Sequence, residues 1–458
     1  MPESIFVQVG QCGNQIGYHF WELAVQEYLL HQKLVNDPSC FFKVCETPKK
    51  SYSSISDCLK ARAILVDMEE SVVSRILRGP FRNLFDKAKL VTDVSGCGNN
   101  WAVGNKFYGT KYKRELIDLF RKEAEECNNL QCFFVIHSLG GGTGSGLGTA
   151  IVEYLCDEFP KIPKFVFAAF PSYQDDVITS PYNALLANSQ LIKYADCVFP
   201  FDNKTLTEMC FKFSKIRNSQ SHLNAAKSRP FSANTSGKDA RPFEDMNDIV
   251  SNAILNLTCY SRFPGGLNID INEIVMNMAP YPRLHYLIPS VSPVFYFEDL
   301  CQKPDEMFSE AFSMSHQLFQ CPLREGVLLG CAILCRGRIS MSDTLSNVER
   351  LKNTQKFVPW NEDGFKIGFC DVPHINSHHS LLMLSNTSSI SKPLNLLKEN
   401  FMKMYRKKAH LHHFLEVESM ENDNFKSSLA DLKDLIEEYK SMENVSQKTE
   451  LQRLNVLL

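Results

Sequence analysis

Residues 132–149, CFFVIHSLGGGTGSGLGT, decide how the rest of the chain is read. Cys132–Ile136 is a short apolar run suited to a buried strand, and Leu147–Phe159 has helical spacing. Between them, Gly140–Gly146 places five glycines in seven positions. Glycine allows close backbone approach, successive amide N–H groups can surround phosphate oxygens, and the start of the following helix carries partial positive charge. A tight turn alone has no use for so many glycines, so the stretch reads as a phosphate loop. It has neither the GK[ST] ending of a Walker A loop nor the GxGxxG spacing of a dinucleotide fold.

On either side, Ile5–Val9, Ala63–Val66, Phe165–Phe170 and Cys197–Phe201 also read as buried strands separated by helical patterns. That alternation predicts an α/β fold built on a parallel sheet, with ligands at the carboxyl ends of the strands. Two more glycine loops fall at such ends: GQCGNQIG at Gly10–Gly17, after the first strand, and SGCGNNW at Ser95–Trp101. Each alone is as readily a turn as a site. Three in comparable positions of one sheet point to a single ligand with several phosphates.

The 458 residues, 44% hydrophobic, suffice for two or three domains. Residues 1–210 form the nucleotide-binding domain in this reading, followed by a polar insertion at 211–241, a central helix at 242–262, an intermediate α/β domain at 263–388 and a helical region at 389–458. The central helix carries Met246, Ile249, Val250, Ala253, Ile254 and Leu257 on one face. In the last region, Leu394–Phe414 and Phe425–Tyr439 read as two amphipathic helices. With 49 basic and 52 acidic side chains, the net charge of −3 offers no overall field for nucleic acid or an anionic membrane. No secretory leader or membrane span is expected, since no run reaches the roughly 18 apolar residues a span requires. The sixteen cysteines lie scattered in apolar segments, as reduced thiols of an intracellular protein would.

The segments VGQCGNQIG, GNNWAVG, HSLGGGTGSGLGT, SPYNALL, RFPGGLN and PRLH occur in an order and spacing that resembles the tubulin superfamily, from about residue 3 to 440. The resemblance implies a GTP-binding N-terminal domain, a second α/β domain and a C-terminal helical layer, with GTP or GDP and Mg²⁺ as ligands. Gly10, Gln11, Cys12 and Gln15 match the first phosphate-contacting loop, and Gly98 and Asn99 the loop nearest the γ-phosphate. Ser138 and Gly141, Gly142, Thr143, Gly144, Ser145 and Gly146 match the main phosphate loop, and Asp67 and Glu69 the acidic pair near Mg²⁺. Without the resemblance, a DxE pair at a strand end is more often a solvated loop.

Asn203 and Asn247 match the two asparagines that read guanine, an amide supplying both donors and an acceptor. Phe243 stands where a tyrosine stacks on the base. Ser180 stands where alpha- and beta-tubulin place an acidic residue near the ribose, and Asp175 or Asp176 would compensate; Asp176 is the site residue expected. Glu273 matches the alpha-type glutamate that acts in trans on a neighbour's GTP.

The insertion, the DDVITSPYN segment and the lack of an acidic tail resemble a tubulin class of the centriole, basal body and centrosome, a cytoplasmic, cytoskeletal setting. Implied partners are other tubulins through a longitudinal contact, delta-tubulin or the alpha/beta dimer among them, and centriolar proteins, but neither nucleic acid nor membrane. A segment 293–307 shorter than the usual lateral loop argues against ordinary lattice packing. The rival reading is a nucleotide-stabilised adaptor that never polymerises. The spacings of His410, His412 and His413 would scatter them around a helix, and His374, His378 and His379 read as a polar loop without nearby cysteine ligands, so neither group is expected to hold a metal. Arg406, Lys407 and Lys408 read as a solvated helix face or a partner contact.

Overall fold

A computed structural model describes residues 2–31, 38–44, 59–172, 175–220, 243–263, 265–295, 303–375 and 377–448. The first half runs β1 (Glu3–Val9), α1 (Gly10–Leu30), β2 (Phe42–Val44), β3 (Leu59–Ala61), β4 (Ala63–Asp67), α2 (Glu70–Arg78), β5 (Leu90–Thr92) and α3 (Gly109–Glu125). It continues with β6 (Leu130–Ser138), α4 (Gly148–Glu158), β7 (Lys164–Phe170), α5 (Ser180–Tyr194), β8 (Cys197–Asp202) and α6 (Asn203–Gln220). Six of these strands form one parallel sheet in the order β5-β4-β1-β6-β7-β8. The order reverses between β1 and β6, so their carboxyl ends flank a topological switch point.

Both faces of the sheet are covered, which is why its strands are mostly apolar at successive positions rather than alternating. Ile5, Val7 and Val9 pack toward α3, α4 and α5, whereas Phe6 faces α1. There Phe6 stacks on Phe20 and Phe134, with ring centroids at 4.6 and 4.8 Å.

The second half begins with α7 (Glu244–Leu257), α8 (Cys259–Arg262), α9 (Ile271–Met278) and β9 (Ile288–Ser292). Next come α10 (Pro304–Ala311), β10 (Leu328–Gly337), α11 (Met341–Lys352), β11 (Phe365–Cys370) and β12 (His379–Thr387), then α12 (Ser391–Tyr405), α13 (His412–Leu415) and α14 (Asn422–Lys448). A mixed sheet, β11-β10-β12-β9, centres this part. All six apolar positions of the central-helix stripe are buried. Helices α12 and α14 cover α5, where Tyr182 meets Phe401, Phe414 and Phe425 at 5.3 to 5.7 Å.

Three local expectations change. Residues 211–220, expected as the start of the polar insertion, are the end of α6, and the remainder, 221–241, lies outside the described residues. The central helix pauses at Thr258, whose hydroxyl bonds back to the Ile254 carbonyl at 2.8 Å. The run Leu394–Phe414 is not one helix, because α12 stops at Tyr405 and Lys408 and His410 adopt φ of 51° and 57°. The Tyr182 hydroxyl donates to the Ala409 carbonyl at 2.8 Å and the Asn100 amide to the His413 carbonyl at 2.8 Å, holding the chain in that turn. His410 therefore lies in a turn. All thirteen cysteines among the described residues are free.

One buried charge cluster joins the two halves. Glu27, near the end of α1, is fully buried and pairs with both Arg262 of α8 and Arg336 of β10. Arg336 also donates to the Val372 carbonyl at 2.9 Å. Burial alone would raise the Glu27 carboxyl; the two guanidinium groups outweigh it and bring it down to about 2. A depressed carboxylate contributes stability that is present above its unfolded value and is lost as pH falls through about 2. Removing one member of such a cluster strands buried charge, so Glu27→Ala is expected to cost about 3–5 kcal/mol at neutral pH. Denaturant midpoints of the two proteins check this.

Candidate functional site

At the switch point a cavity of about 480 Å³ opens, within the range of ligand pockets. Gly10, Gln11, Cys12 and Gln15 supply one wall, Ser138 and Gly140–Gly144 the floor, and Asp67, Glu69 and Asn99 one end. Asn203, Phe243, Met246 and Asn247 supply the other end, with Asp175 and Asp176 alongside.

The glycines permit this closeness. Gly10 turns from β1 into α1 at φ 72°, and a Cβ there would sit 3.2 Å from the Gly144 nitrogen. A Cβ on Gly142 would meet the Cys97 side chain at 2.6 Å and the Asn100 nitrogen at 2.7 Å, so the loop at 95–101 rests directly on the main glycine loop. Asn14 fixes the first loop, its amide donating to the Gly10 and Val66 carbonyls at 2.9 and 3.2 Å. A π-helical turn at Thr143–Leu147 leads into α4, widening the helix start where its amides lack intrahelical acceptors.

The ionisable groups divide by surroundings. Burial raises the Asp67 carboxyl to about 6, although the backbone N–H of Glu69 donates to Oδ1 at 3.2 Å; Oδ2 is buried without a partner. A buried carboxylate with an open oxygen, beside Glu69 and facing the glycine loops, fits a hard cation held mainly by phosphates and water. Burial pushes the Cys12 thiol up to about 12, so it stays protonated. His137, behind the main loop, is held down to about 4 by burial and stays neutral.

At the opposite end Asn203 opens α6, whose start is pinned by Thr205, which donates from N–H and hydroxyl to Asp202 at 2.7 Å each. Asn247 lies in the first turn of α7, and Phe243, just before that helix, is half exposed beside the cavity. Ser180 begins α5 and is buried against Gly140, behind the lining rather than in it. Asp175 is engaged by Ser172, whose N–H donates at 2.9 Å, which leaves the exposed Asp176 as the carboxylate open to a sugar.

Most residues singled out in the sequence thus meet in one cavity, but four do not line it. Gly98 stands in open space at φ 54°. Ser145 is buried and bonds the Gly141 carbonyl, and Gly146 abuts the Trp101 carbonyl; both serve the loop's packing. Glu273 sits on α9, paired with Lys366. Asp270, which caps α9, bonds Gln131 at the amino end of β6, so this helix starts at the sheet edge opposite the cavity. The lining also includes Gly140, the first residue of the glycine loop, and Ser172, Lys204 and Thr207, which sequence reasoning passed over. Lys204 directly follows Asn203, and that adjacency was the available signal.

A mononucleotide-sized cavity built by three glycine loops at the switch point of a parallel sheet defines a nucleotide-binding protein of the α/β class. The chain belongs to the tubulin family: residues 3–211 match the Tubulin/FtsZ family GTPase domain and residues 282–399 the tubulin C-terminal domain. It is 47% identical to the tubulin epsilon chains of Homo sapiens and Mus musculus, over 97% of this chain and 96% of theirs. Identity to the tubulin beta-5 chain of Ectocarpus variabilis is 31%, over 98% of this chain and 97% of that one. The chain is thus more like these epsilon chains than that beta chain.

The open Asp67 oxygen carries a prediction. A carboxyl raised in the folded state penalises folding once ionised, and that penalty fades as pH falls from above about 6 toward the ordinary value of 3.8. Without nucleotide and cation, Asp67→Asn should stabilise the protein at pH 7.5 by roughly 2–3 kcal/mol, and by less at pH 5. Thermal melts at the two pH values test it.

Proposed function

We propose that the cavity binds GTP or GDP with Mg²⁺ at a longitudinal contact with another tubulin, and that the chain is a cytoskeletal subunit of centrioles or basal bodies. The observation that carries this reading is the convergence of three glycine loops, the Asp67–Glu69 pair, and Asn203 with Asn247 on one cavity. Asp67 and Glu69 would face the cation, which neutralises phosphate charge when bound. Asn203 and Asn247 would pair with guanine's donor and acceptor edge while Phe243 stacks on the ring. Asp176 would accept from the ribose.

Hydrolysis is completed in trans in this reading. Support comes from the distance between Glu273 and its own cavity, since α9 starts at the amino end of β6, about 26 Å of strand away. Head-to-tail stacking of subunits would carry the Glu273 of one copy over the cavity of the next, a heterologous contact. There a carboxylate can orient an attacking water.

A second reading, a nucleotide-stabilised adaptor that does not polymerise, has one observation in its favour. Glu273 is the third residue of a helix capped by Asp270 and is paired with Lys366, which gives its carboxylate a role within a single chain. Part of the 293–307 segment, 296–302, lies outside the described residues and does not discriminate.

Equilibrium binding with Mg²⁺ present should show GTP and GDP strongly preferred over ATP, and Asn203→Ala should weaken GTP roughly tenfold or more, an amide pair being worth about 1.5 kcal/mol. Equal affinity for ATP and GTP in the wild type refutes the nucleotide assignment. The isolated monomer should hydrolyse GTP very slowly. Glu273→Ala should leave nucleotide affinity intact and abolish turnover only in complexes where this surface caps another tubulin's nucleotide. Brisk hydrolysis by the monomer, or unchanged turnover in the variant complexes, rejects catalysis in trans.

A further inference from the structure

Asn183 lies in the SPYN stretch at the start of α5, fully buried and outside the cavity lining. Its Nδ2 donates to the carbonyls of Asn99 and Gly140, each at 2.8 Å. Its Oδ1 accepts from the backbone N–H of Trp101 at 2.9 Å. One amide therefore bolts the 95–101 loop onto the main glycine loop, using three of its four hydrogen-bonding positions. The Thr179 hydroxyl adds a second donor to the Asn99 carbonyl at 2.9 Å. Asn99 itself adopts φ 52°, a left-handed conformation that asparagine tolerates better than most residues with a side chain.

The strand order says which part of a nucleotide these loops serve. The residues suited to a base, Asn203 and Phe243, lie beyond β8, whereas Asp67 ends β4 and the 95–101 loop follows β5. β4 and β8 are four sheet positions apart, about 19 Å across the strands. A nucleotide with its base at the β8 side therefore presents its last phosphate to the loop that Asn183 holds.

We infer that Asn183 is a positioning residue that sets the preference for a triphosphate over a diphosphate, by pre-assembling the walls around the terminal phosphate. The inference rests on the guanine-nucleotide reading above. A diphosphate ends short of the bolted loop and gains little from it, whereas a triphosphate must order the loop at its own expense once the amide is gone.

The test is the ratio of GTP to GDP dissociation constants, measured by titration with Mg²⁺ for wild type, Asn183→Ala and Thr179→Val, with ATP as a control. In Asn183→Ala, GTP affinity should fall about tenfold, in line with loss of a buried charge-free amide's bonds, while GDP changes less than about threefold and ATP remains excluded. Thr179→Val removes one outer donor and should shift the ratio in the same direction by about threefold. If Asn183→Ala does not fold, Thr179→Val decides alone. A wild type that binds no guanine nucleotide removes the reading on which the inference stands. A wild type that binds both, with variants that weaken GTP and GDP equally or not at all, overturns the role of Asn183 and leaves that reading in place.

Discussion

Six strands running the same way impose the constraint from which the rest follows. A parallel neighbour can be reached only by a crossover, so every strand of the β5-β4-β1-β6-β7-β8 sheet delivers its carboxyl end to the same edge. The loops that leave β1, β4, β5, β6, β7 and β8 are thereby gathered along one line although their residues span positions 10 to 203. Helices must then cover both faces, and the polar groups the strands bury, such as Glu3 paired with Arg62 at the amino end of β1, lie toward the strand ends.

The same architecture explains where charge is tolerated. At the edge, Asp67 has an oxygen without a hydrogen-bond partner and a carboxyl raised by burial. In the interior, Glu27 faces two guanidinium groups and is held ionised. Helix α1 carries both environments, with Gly10, Gln11, Cys12 and Gln15 in the cavity and Glu27 in the cluster that reaches α8 and β10. The nucleotide-facing half and the mixed sheet are thus tied through one helix.

The fold was legible where the sequence repeats a simple physical rule. Apolar runs such as Cys132–Ile136 and Phe165–Phe170 announce buried strands, and the five strands expected are all present. Glycine loops at their ends announced the cavity, and Asp67, Glu69, Asn203, Phe243 and Asn247 all line it. The short edge strand Leu90–Thr92 gave no signal, being three residues set between charged neighbours. Nor did the break after Tyr405, since the helical pattern continues and the turn is imposed from outside by Tyr182 and Asn100. Asn183 was quoted only as part of a motif. Its three bonds run to residues 43 to 84 positions away, which no local pattern encodes.

The contact between Asn100 and His413 also bears on when the site comes into being during synthesis. Its two ends are 313 positions apart, so at about 5–20 residues per second the ribosome adds the second roughly 15–60 s after the first. Once Val250 has been added, all six strands and every residue lining the cavity exist, yet the 95–101 loop still lacks its outer anchor until His413 follows. The N-terminal domain is contiguous in sequence but is completed by a residue from beyond the mixed sheet, which makes a finished pocket a report that translation has passed position 413.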